Sequence, residues 1–96
     1  MQGGDDMAMD FRRESEVLKA LGHPVRLRIV AGLMEQRDGC NVNKMVTRLG
    51  LPQSSVSQSL AILRHAGVLE YRREGVKNCY RVADRRVGKL LKTLQG

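Results

Sequence analysis

Residues 42 to 82 change pattern in an order that few folds accommodate. A short stretch with helical spacing, VNKMVTRLG, meets a tight LPQ turn, and a second helical stretch, SSVSQSLAILRHAG, follows. Two strand-like runs come next, VLEYRRE and VKNCYRV, hinged at Gly75. Helix, turn, helix and then a β-hairpin predict a helix-turn-helix that carries a two-stranded wing.

The flanking segments complete a mainly α fold of about five helices plus that small hairpin. From Phe11 the spacing becomes helical, and Phe11, Val17, Leu18 and Leu21 can share a broad stripe before Gly22 closes the segment. Pro24 suits the first turn of a second helix, in which Leu27, Val30, Leu33 and Met34 recur at three and four residues until Arg37, Asp38 and Gly39 end it. Asn43 is the expected N-cap of the third helix, and Gly50 is placed to stop it in the left-handed conformation. After the hairpin, Asp84 can cap a last helix whose Val87, Leu90, Leu91 and Leu94 fall on one face. Residues 1 to 10 carry two glycines and three acids with no periodic apolar set, so they are expected to be a disordered tail ahead of a single domain over 11 to 96.

Charge narrows the choice of partner. Lys and Arg number 17 against 10 Asp and Glu, and three of those acids (Asp5, Asp6, Asp10) lie in the tail, so the rest of the chain carries +10. Such an excess favours a polyanion, either nucleic acid or an anionic membrane. No run of about eighteen apolar residues is present to span a bilayer. The acidic start lacks the basic and apolar regions of a signal peptide, and two cysteines are too few for a secreted disulfide framework, so a cytoplasmic location is expected. A chain of 96 residues buries little surface, which favours a dimer.

The fourth helical stretch carries most of the functional information. At about 100° per residue, with Gln53 at zero, Leu63, Val56 and Leu60 fall between roughly 280° and 340° and form one core-facing stripe. The arc from about 20° to 140° holds Arg64, Ser57, Ala61, Ser54, His65 and Gln58, all small or hydrogen-bonding. A helix entering the major groove needs such a face: small residues let the backbone approach the bases, Gln pairs with adenine in a bidentate way, and Ser serves base or phosphate. An ordinary solvated face would favour Lys and Glu over the serines Ser54, Ser55, Ser57 and Ser59, since Ser is a mediocre helix former. The DNA-contacting set expected on this helix is Gln53, Ser54, Ser55, Ser57, Gln58, Arg64 and His65.

The run LKALGHPVRLRIVAGL, followed by LGLPQSSVSQSLAILRHAGVLEYRREGVKNCYRV, resembles the ArsR/SmtB family of winged-helix repressors over roughly residues 15 to 94. The resemblance implies a homodimer on a palindromic operator, with the first and last helices as the subunit interface and an effector that releases the DNA. By position it places Gln53, Ser54, Ser57 and Gln58 in the major groove, and Arg72, Arg73 and Lys77 of the wing on phosphate or minor groove. The interface set it suggests is Phe11, Val17, Leu18, Val87, Leu90, Leu91 and Leu94. Many members have His where this chain has Ser59, which implies altered preference or packing rather than lost binding.

The family's metal motifs are not reproduced. The thiolate motif at the start of the third helix aligns with GCNVNKM, which turns its two cysteine positions into Asn41 and Asn43 and leaves Cys40 one residue early. The arrangement on the last helix finds only Asp84 in DRRVGKLLKTLQG. Cys40, Cys79, His23 and His65 show no recognisable ligand spacing. No metal and no cofactor are therefore expected, and the chain resembles the HlyU- and PagR-like branch that lacks these motifs.

Cys40 and Cys79 remain as a possible redox pair. Strand alternation puts Val76, Tyr80 and Val82 on one face and Lys77, Cys79 and Arg81 on the other, so two cations would favour a Cys79 thiolate. Cys40 precedes a helix N-terminus, which acts in the same direction. The ordinary alternative is that each packs as a small hydrophobe, and a bond between them needs Cα atoms within about 7 Å.

His23 is expected at a helix entry and Tyr80 in the core. One Phe, two Tyr and no Trp leave no aromatic set for stacking single-stranded bases. The stripe on the last helix could be intramolecular core, but Leu94 close to the end favours an interface. No nucleophile, base or metal constellation suggests an enzyme. The main reading is thus a sequence-specific double-stranded DNA-binding regulator. A winged-helix protein-interaction module that antagonises another regulator is the second reading, since fold alone does not fix function.

Overall fold

The computed structural model describes residues 11–36, 39–40 and 42–96; the expected tail over 1 to 10, and Arg37 and Asp38, lie outside the described residues. The elements are α1 (Phe11–Leu21), α2 (Pro24–Glu35), α3 (Val42–Leu49), α4 (Gln53–His65), β1 (Leu69–Glu74), β2 (Lys77–Val82) and α5 (Arg85–Gln95). The strands pair antiparallel from Leu69 opposite Val82 to Glu74 opposite Lys77, which leaves Gly75 and Val76 as the turn. Five helices and one hairpin make the winged helix-turn-helix anticipated from the pattern.

Local chemistry sets the helix ends. His23 caps α2, its Nδ1 accepting from the Val25 N–H at 3.1 Å, with Pro24 at the first helical position, where its missing N–H costs nothing. Asp84 caps α5 through a 2.9 Å bond from the Arg86 N–H to Oδ1. Gly50 leaves α3 with φ +68°, a conformation that side chains with a Cβ resist. One expectation is corrected: α3 begins at Val42, so Asn43 lies inside its first turn rather than capping it, and its carbonyl accepts from Thr47 Oγ1 at 2.9 Å.

The core lies where α2 and α4 meet over the base of the wing. Ile29 and Val30 of α2, Leu63 of α4 and Val68 before β1 have no exposed surface, and Val56, Met45 and Val87 are almost as deep. Fully burying each such aliphatic side chain contributes about 1.5–3 kcal/mol, so this junction fixes α4 firmly against the rest of the fold. Ser59 is also buried, consistent with a packing position off the polar arc.

The expected interface set divides. Val17, Val87 and Leu91 are buried within the protomer, where one stripe on α1 and one on α5 pack against its own core. Leu90 is half-buried. Phe11, Leu18 and Leu94 stay exposed at 64%, 57% and 70% and form the apolar remainder that intramolecular packing does not use.

An ionic clasp ties α5 to α1. Arg86 reaches Glu14 Oε2 at 2.8 Å and Asp84 Oδ2 at 2.7 Å. Its hydrogen bonds hold both carboxyls below their ordinary pKa values, and the pair of acids raises that of Arg86 in turn.

Candidate nucleic-acid interface

The polar face of α4 emerges exposed, as the wheel requires. With Val56, Leu60 and Leu63 turned inward, Gln53, Ser54, Ser57, Gln58, Ala61, Arg64 and His65 are all exposed, and Ser55 is half-buried at the edge of the face. No carboxylate occurs anywhere in α4, so nothing on this surface repels phosphate.

The wing completes the surface from the other side. Gln53 and Ser57 share a cleft of about 300 Å³ with Lys77, Asn78 and Tyr80 of the wing and with Cys40, Val42 and Asn43 at the start of α3. The fold thus brings Gln53, Ser57 and Lys77 together; Ser54, Gln58 and His65 do not line that cleft and lie elsewhere on the exposed face. Arg72 and Arg73 lie outside it too. Arg72 pairs with Glu74 at 2.6 Å, and Arg73 Nε donates to the Gly75 carbonyl at 3.1 Å, while both side chains remain accessible. Arg81 is paired with Glu70 across the strands. Val76 stands 88% exposed at the wing tip.

Arg64 connects to the wing by a different route. Its guanidinium lies over the Tyr71 ring, which is tilted against Tyr80 and donates its hydroxyl to Asn78 Oδ1 at 2.6 Å. Tyr71 and Asn78 were not among the residues anticipated. A signal for the first was available: a two-residue turn at Gly75 and Val76 sets a register in which Tyr71 faces Tyr80.

Of the two alternatives left open for the cysteines, the structure takes the paired one. Cys40 and Cys79 form a disulfide, with Cα atoms 4.1 Å apart, so neither is a separate filler residue. Cys79 is buried although its strand neighbours on the same face, Lys77 and Arg81, are exposed, and Tyr80 on the other face is half-buried. The reason is that the Gly39 and Cys40 segment runs beside β2, with the Tyr80 N–H donating to the Gly39 carbonyl at 2.9 Å. A Cβ on Gly39, which has φ +67°, would collide with the Tyr80 carbonyl, so glycine permits that approach twice over.

Comparison with known proteins agrees with this geometry. A family model described as a helix-turn-helix domain matches residues 21–72. An uncharacterised HTH-type transcriptional regulator of Methanocaldococcus jannaschii is 38% identical over 82 residues, covering 85% of this chain and 91% of that protein. The crystal structure of the transcriptional repressor PagR of Bacillus anthracis superposes with a TM-score of 0.77 at 36% identity, over 88% of this chain and 94% of that one. The solution structure of a homodimeric winged helix-turn-helix DNA-binding domain from Mycobacterium bovis, a possible ArsR-family transcriptional regulator, gives 0.78 at 30% identity, over 97% and 84% of the two chains. With the polar face of α4, the adjoining wing and these likenesses together, the chain belongs to the ArsR/SmtB family of winged helix-turn-helix transcriptional regulators.

Proposed function

We infer that the protein is a homodimeric, cytoplasmic repressor without enzymatic activity, which binds a palindromic operator and is released by an effector. Residues 11 to 96 act as one DNA-binding and dimerisation unit. The α4 helices of the two subunits enter successive major grooves about one helical turn, roughly 34–36 Å, apart. Gln53, Ser54, Ser55, Ser57 and Gln58 read base edges and nearby phosphates, Arg64 and His65 contact the backbone, and Arg72, Arg73 and Lys77 bring the wing to phosphate or minor groove. Phe11, Leu18, Leu90 and Leu94 supply the accessible apolar surface of the subunit interface, backed by Val17, Val87 and Leu91. The disulfide between Cys40 and Cys79 makes thiol redox state a suitable input, because Cys40 lines the same cleft as Gln53, Ser57 and Lys77.

The observation that carries this reading is the carboxylate-free Gln and Ser face of α4 standing exposed beside a basic wing. The test is anisotropy with the duplex upstream of the protein's own gene, titrated with salt, with the protein oxidised and reduced. Affinity should fall with a log slope of about −0.9 per phosphate neutralised. A flat salt response would overturn the DNA-binding assignment, and equal binding by the two redox forms would remove the thiol input alone.

A further inference from the structure

Among the described residues, Cys40, Cys79 and Glu74 bring one ligand atom each within 4.8 Å of one another. These donors come from the loop before α3, the end of β1 and the middle of β2; the hairpin sets Glu74 near Cys79, but no local spacing brings in Cys40. They are also not the positions at which the resemblance placed metal ligands. We propose that, once the disulfide is reduced, Cys40, Cys79 and Glu74 hold one thiophilic divalent d¹⁰ cation of the zinc or cadmium kind per chain. The proposal does not rest on the DNA-binding reading.

The chemistry balances simply. A dithiol reductant supplies two electrons and two protons to the disulfide and is itself oxidised to a disulfide, leaving two thiols. The cation then displaces both thiol protons and binds two thiolates and the Glu74 carboxylate. Zinc takes sulfur at about 2.3 Å and carboxylate oxygen at about 2.0–2.2 Å, so tetrahedral ligand atoms stand roughly 3.3–3.8 Å from each other. Starting from a cluster no wider than 4.8 Å, side-chain rotation after the sulfurs part is enough. Two sulfurs and one oxygen leave a fourth position for water. Burial fits this division: Cys79 is buried and Cys40 half-buried, whereas Glu74 is exposed and gives the ion its open side. Arg72 bonds Glu74 Oε2 at 2.6 Å, and because a carboxylate has two oxygens, Arg72 can remain as the outer partner that orients the ligand. In the oxidised chain the sulfurs are spent on each other, so disulfide and cation exclude one another.

The test is a titration of the reduced full-length chain with cadmium, free of DNA, following the thiolate-to-cadmium charge-transfer band in the ultraviolet, with zinc as competitor. One cadmium per chain, displaced by zinc and not taken up by the oxidised protein, is the expected result. Cys79→Ser should abolish the band. Glu74→Gln, on an exposed side chain that leaves both thiols intact, should weaken uptake more than about a hundredfold, beyond the usual loss of an outer-shell partner. If the reduced protein titrates two free thiols yet shows no band, the proposal is overturned. It is overturned equally if Glu74→Gln binds like the parent, or if one ion is taken up per two chains. Should Cys79→Ser fail to fold, the Glu74→Gln variant and the oxidised control still decide the matter.

Discussion

The guanidinium carbon of Arg64 stands 4.8 Å from the centre of the Tyr71 ring, so the end of α4 is joined to the wing by a cation–π contact. Tyr71 is itself held by Asn78 and Tyr80, which makes it a fixed platform rather than a swinging side chain. An exposed contact of this type contributes about 0.5–1 kcal/mol. A double-mutant cycle with Tyr71→Leu and Arg64→Ala, read from urea unfolding, should return a coupling of that size, and Tyr71→Phe should preserve it. Strict additivity of the two single changes would show that wing and helix are not linked here.

Gly39 and Gly50 share a left-handed φ, +67° and +68°, but not the same surroundings. An alanine in this conformation costs roughly 1–2 kcal/mol whatever its neighbours. Nothing lies within 4 Å of a Cβ on Gly50, so Gly50→Ala should cost that amount and no more. Gly39→Ala also meets the Tyr80 carbonyl and must break the Tyr80 to Gly39 hydrogen bond, so its loss of stability should be clearly greater. Comparable unfolding midpoints for the two variants would mean that the segment can leave β2 without penalty.

The Arg86 clasp predicts acid sensitivity with a definite sign. The folded state lowers the pKa of Glu14 from 4.5 and of Asp84 from 3.8, chiefly through hydrogen bonds from Arg86. Depressed carboxyl values add stability that is present in full above the unfolded-state pKa and is lost as pH falls through the folded one. The contribution should therefore be constant at neutral pH and decline below the ordinary carboxylate range. Arg86→Gln should remove this part of the acid dependence; it is checked by urea midpoints across an acid series for parent and variant. A parallel decline in both proteins would rule the clasp out as its source.

The polar arc of α4 was legible because a single helix obeys one period, and burying Val56, Leu60 and Leu63 forces Ser57 and Gln58 outward. The stripes on α1 and α5 were less legible for the same reason: a period says that Val87, Leu91 and Leu94 share a side, not where the protomer's own core ends along it. The structure draws that boundary between Leu91, buried, and Leu94, exposed. The cysteine pair was hidden for a different reason. Its sequence separation is 39, and its closure depends on the Gly39 segment lying along β2, a non-local pairing with no periodic signature. The hairpin register sets Glu74 diagonally beside Cys79, and only the non-local pairing adds Cys40, so a ligand count made along the chain misses the cluster.

Substitutions at Gln58 and Lys77 should separate base reading from backbone positioning. Gln58 projects from the exposed arc of α4, where an amide can satisfy both hydrogen-bonding groups of an adenine edge. Lys77 lines the cleft from the wing and offers a compact charge suited to phosphate. Gln58→Ala should cost about 1–3 kcal/mol on the operator and relax discrimination at one base step. Lys77→Ala should weaken specific and scrambled duplexes about equally and reduce the salt slope by about 1. Anisotropy on both duplexes across a salt series distinguishes the two. If Gln58→Ala lost the same on scrambled DNA as on the operator, the residue would be a backbone contact, and the reading function would fall to Gln53 and the serines beside it.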